Sequence, residues 1–99
     1  IATNWSAHTE YMTGDSYLKI KYNLEKINKS RVDGSLFVED MRWAEADEKC
    51  AKECLEKIHK YYDVYKKRAV EHQSFIIENY NFEAISNRYS EHFKDLLCL

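Results

Sequence analysis

The chain has 99 residues, 44% of them hydrophobic and 32% charged, with a net charge of −2. That length suits a single domain over 1–99 with a modest core, and the composition is that of a folded chain, not a disordered one. The slight acidic excess argues against a dedicated nucleic-acid binder, no apolar run approaches the ~20 residues that span a bilayer, and zero Pro with two Gly disfavours an all-strand fold rich in tight turns.

The chain begins Ile1-Ala2-Thr3, with neither an initiator Met nor a basic-then-apolar leader, as a trimmed or mature end does. Both glycines stand where helices stop. Gly14 precedes Asp15-Ser16 and Gly34 precedes Ser35, a left-handed exit followed by a side chain able to cap the next helix. Asn79-Tyr80-Asn81 offers a third break, with Asn81 as the cap. These divisions predict helices at about 4–12, 16–31, 36–77 and 82–98. The expected fold is therefore mainly α, a four-helix arrangement dominated by one long central helix (about 36–77) with a C-terminal helix (about 82–98).

A second reading covers the first 25 residues. Trp5, Ala7, Thr9 and Tyr11 alternate with polar neighbours, as do Leu18, Ile20, Tyr22 and Leu24, which is strand periodicity. A turn at Thr13–Ser16 places Tyr11 opposite Leu18 and Glu10 opposite Lys19. The alternative fold is thus α+β, an N-terminal β-hairpin (about 4–25) followed by two helices. Asp33-Gly34 is also a hairpin dipeptide, able to turn a short third strand.

The long helix rests on a seam of Phe37, Met41, Ala44, Ala51, Leu55, Ile58, Tyr62, Tyr65, Ala69 and Ile76, spaced three and four apart. Only Glu48 and His72 enter it as polar residues, His72 as a hydrogen-bonded or register-setting core histidine. Glu45, Glu48, Glu53 and Glu56 each precede a Lys by four residues, in the favourable order. About 41 helical residues reach roughly 60 Å, far beyond a compact domain with a radius of gyration near 13 Å. Trp43, Cys50, Cys54 and Tyr61 add a second row, so the apolar face needs two neighbours. Either the helix breaks near Lys66-Lys67-Arg68, or it stays whole and a second copy or another protein covers the surplus; no residue there is a helix breaker, which favours the intact rod.

Chemistry-bearing patterns are sparse. Cys50 and Cys54 are one close pair, short of the two pairs of a structural zinc site, and the three cysteines do not form a disulfide framework. Glu56-Lys57-Ile58-His59 has no second copy to build a di-iron site. The sequons at Asn4 and Asn28 are what chance gives a chain with six Asn. No metal and no cofactor are expected. The expected function is a non-enzymatic protein–protein interaction module, an adaptor, inhibitor or regulatory subunit. It would use Trp43, Tyr61, Tyr62 and Tyr65 to meet a protein partner or a second copy, because Tyr and Trp are favoured contact residues. The alternative is binding to nucleic acid or another anionic surface through Lys19, Lys21, Lys26, Lys29 and Arg31. Cytoplasm is the expected compartment, with secretion left open by the trimmed start.

Overall fold

The computed structural model describes residues 1–97. The chain is α+β, and the four-helix arrangement is not what forms. Strands β1 (Ala2–Thr3), β2 (Lys19–Ile20), β3 (Tyr22–Lys26) and β4 (Arg42–Ala46) precede helices α1 (Glu48–Lys60), α2 (Tyr62–Asn79) and α3 (Phe82–Leu97). Short 3₁₀ turns occupy Ala7–Glu10 and Lys29–Arg31. The class is that of the alternative reading, but its hairpin lies elsewhere. Residues 4–12 are neither a helix nor a strand beside 18–24. Instead β1 runs parallel to β2, with Ala2 opposite Lys19 and Thr3 opposite Ile20.

Local hydrogen bonds explain that parallel return. The His8 ring donates from Nε2 to the Thr3 carbonyl, and Met12 N–H bonds His8 O at 2.8 Å, curling the chain back on itself. Gly14, at φ 56°, supplies a left-handed step in the turn closed by Ser16 N–H on Thr13 O. Both edges of the small sheet are then covered. His8 lies along β1, and the sulfurs of Cys50 and Cys54 face the Lys19–Lys21 backbone from α1.

β3 and β4 form the actual hairpin, antiparallel, with Leu24 opposite Ala44 and Glu25 opposite Trp43. Its loop turns at Asp33-Gly34, where the Asp33 carboxylate accepts from Ser35 N–H (2.8 Å) and Phe37 N–H (2.9 Å). Those two backbone donors hold the Asp33 carboxyl below the usual carboxylate range, Phe37 having the larger effect. At the loop end of the ladder Lys26 faces Arg42, a repulsive pair. The Asp40 carboxylate answers it, 2.6 Å from Lys26 Nζ, and is itself held low by Lys26 first and Arg42 second. Asp40 takes φ 67° to reach that position, a conformation that Asp tolerates better than most residues.

This geometry is why no helix spans 36–77. A left-handed residue at 40 stops any helix through it, and the backbone of 42–46 is taken by the β3 ladder. The helix starts only at Glu48, capped by the Asp47 carboxylate on Cys50 N–H at 2.7 Å. It stops again at Tyr61 (φ −122°, ψ 40°), short of the suspected break at Lys66–Arg68. Lys57, His59 and Lys60 in the last turn of α1 and Asp63 in the first turn of α2 fit two helix dipoles meeting there. Asn81 does cap α3, accepting from Ala84 N–H at 2.8 Å, while its amide donates back to Ile77 O and Glu78 O.

Little of the chain is inside. Among the described residues only Tyr17 and Ile27 (each 8% exposed) and Cys54 (5%) are buried. The radius of gyration is 18.3 Å and the extents are 51 × 44 × 16 Å, a thin plate where a compact chain of this length has about 13 Å. Among the described residues no helix is long and apolar enough to cross a membrane.

Candidate functional site

The four aromatic residues expected to act together do not share one helix. Trp43 stands on β4, half-buried and opposite Glu25, because strand pairing removed it from the helix. Tyr61, Tyr62 and Tyr65 do gather, at the elbow between α1 and α2. Tyr61 and Tyr62 are exposed and Tyr65 is half-buried, with exposed Val64 between them. Each ring has a cation beside it: Lys60 over Tyr61 at 5.2 Å, Lys66 over Tyr62 at 5.8 Å and Arg68 over Tyr65 at 5.5 Å. Such contacts hold amphipathic rings in place at the surface without burying them.

The basic segment is divided among elements. Lys19 lies on β2 with its ammonium 5.6 Å over the Tyr17 ring. Lys21 borders a shallow groove of about 470 Å³ together with Asn4, Lys19 and Tyr22. Lys26 is engaged by Asp40, and Lys29 and Arg31 occupy the 3₁₀ turn that Asn28 caps through Ser30 N–H. Of the four anticipated helix ion pairs, one closes among the described residues. Glu48–Lys52 closes at 2.7 Å, but Glu45 sits on β4.

The cysteine and histidine candidates also have definite places. Cys54 is buried beneath Lys19, and burial pushes its thiol up, with neighbouring Cys50 adding to the effect. Cys98 lies outside the described residues. Among the described residues no three metal-ligating side chains come together. His72 is half-buried on α2, stacked on Phe75 at 5.5 Å. Its Nε2 and the Ser16 hydroxyl have no hydrogen-bond partner among the described residues, so it is not the hydrogen-bonded core residue expected. Both line an open groove of about 360 Å³ between α2 and the Thr13–Ser16 turn, with Arg68 and Glu71 at its rim.

A broad exposed apolar surface lies on α3. α3 touches α2 only near their corner, where Ala84 and Ile85 are half-buried and Arg88 lies 5.2 Å over the Tyr80 ring. Every residue from 86 to 97 is exposed. Phe82, Ile85, Tyr89, Phe93 and Leu96 share one side of the helix by their spacing, with Glu83, Asn87, Glu91 and Lys94 opposite. Phe82 is 90% exposed. The signal that could have found this surface was the same apolar spacing, combined with the question of what lies next to it. Compared with known protein families, curated proteins and solved structures, the chain matches none.

Proposed function

We propose that this protein is a non-enzymatic interaction module that works by presenting apolar and aromatic helix surface to another protein. The observation that carries this reading is the uncovered apolar side of α3, running from Phe82 to Leu97. Helices of this length are marginal alone in water and owe their stability to packing of the amphipathic face. An amphipathic helix whose face meets only solvent beyond its first turn is therefore in its unbound condition. Exposed apolar stretches of this kind mark contact sites more often than they mark chemistry. The tyrosine elbow at 61–65 supplies a second, more polar contact region, of the amphipathic type enriched where proteins meet.

Site-specific photocrosslinking tests this directly. A benzophenone amino acid replacing Phe93 or Tyr62 in the full chain is expected to give discrete protein adducts in extract from the source cells. The same group at Glu91, on the charged side of α3, serves as the control. Equal adduct yields from all three positions would show that these surfaces have no preferred role in contact.

A further inference from the structure

We infer that the apolar face of α3 pairs with the same face of a second copy of this chain, the two helices running antiparallel. This rests on the interaction reading above and names the partner. Ile85, Arg88, Tyr89 and His92 enclose a shallow pocket of about 250 Å³. Their spacing is i, i+3, i+4 and i+7, which is the four-residue hole that accepts one side chain of a facing helix. Aligning Ile85 with Leu96 of the second copy sets Tyr89 against His92 of that copy. The twofold axis then repeats both layers, giving four in all.

Charge selects the direction. Arg88 and Asp95 lie seven residues apart on the same flank of the apolar row. In the antiparallel alignment Arg88 of each copy meets Asp95 of the other, so one pair of opposite charges forms twice. A parallel alignment leaves neither charge with an opposite partner across the seam. Arg88 already stacks on the Tyr80 ring at 5.2 Å, and a guanidinium lying over a ring keeps its N–H edge free to donate to a carboxylate. Asp95 takes part in no ion pair among the described residues. The two ~24 Å helices form an interface at the small end of specific contacts, so micromolar association is expected.

The test is sedimentation velocity of the full chain over about one to several hundred micromolar, with Arg88→Asp and Asp95→Arg as variants. A concentration-dependent dimer is expected, and each single variant places like charges at both pair positions, weakening it about tenfold or more. Mixing the two variants in equal amounts restores opposite charges at both positions and is expected to restore the dimer. The loss of the Arg88–Tyr80 stack cannot mimic that rescue. A wild-type chain that stays monomeric throughout, a dimer indifferent to both variants, or a mixture no better than its components would overturn the pairing. Solution scattering separates this failure from that of the broader reading. A monomer that keeps a radius of gyration near 18.3 Å with α3 helical leaves the apolar face free for a different protein. One that contracts toward about 13 Å has covered the face itself, and the interaction reading falls too.

Discussion

Tyr17 is the best place to test the packing of the N-terminal half. Its ring is 8% exposed, its hydroxyl donates to Asn4 Oδ1 at 2.9 Å, and its edge meets the His8 ring at 6.2 Å. One side chain thus ties together the end of β1, the 3₁₀ turn and, through Lys19, β2. Tyr17→Phe keeps the ring and removes the hydroxyl, costing about 1 kcal/mol. Tyr17→Ala removes the ring as well, costing roughly 3–5 kcal/mol for the large-to-small change, and the lost edge-on aromatic contact adds about 0.5–1.5 kcal/mol. A chain of this size has about 5–15 kcal/mol in total, and with so few buried side chains the low end applies. The Ala variant is therefore expected to leave the β1–β2 unit open in much of the population while α2 stays helical. Urea titration in a Trp43→Phe background reads this through Trp5, whose ring lies 5.4 Å from Tyr22, with far-UV circular dichroism following the helices. Equal, small losses for Phe and Ala would show that Tyr17 is not a core residue and that the N-terminal unit is held by other contacts.

Three further outcomes are expected. Asn81→Ala removes the cap on Ala84 N–H and is expected to cost about 1 kcal/mol, read as faster amide exchange confined to α3. Asp33 and Asp40 both have folded-state values below the usual range. Their stabilisation is complete above the ordinary carboxylate value near 3.9 and is lost as pH falls through the depressed values, so the loop end of the β3–β4 hairpin is weakened in that acid window. Following the Ile27 amide, which donates to Met41 O at 2.9 Å, should show this weakening, and Asp40→Asn should flatten its pH dependence. Finally, in a Cys98→Ser background Cys54 should react with iodoacetamide about tenfold more slowly than Cys50, because burial both shields it and raises its thiol. Equal rates would place Cys54 at the surface.

The features readable from the residues were local. Asn81 as a cap and the reversal at Asp33-Gly34 depend on one to four neighbouring residues, and each has its place in the structure. Gly14 and Gly34 are left-handed as expected, but in turns and not where helices stop. The apolar row of α3 was legible for the same reason. The long helix was not. Phe37, Met41 and Ala44 satisfy helical spacing as well as Leu55 and Ile58 do, but spacing says nothing of a competing partner elsewhere in the chain. The signals that separate the two were present without being decisive: Asp47 as a cap, and the cations Lys57, His59 and Lys60 that close α1.

Sequence alone therefore determined where backbone groups find short-range partners and which helices have a wet and a dry side. Only tertiary structure decided that residues 42–46 join β3, that β1 and β2 run parallel, and that α3 stands away from the rest. Those outcomes turn on long-range hydrogen bonds and on surface left uncovered, and both are properties of pairs of segments that no single stretch of residues contains.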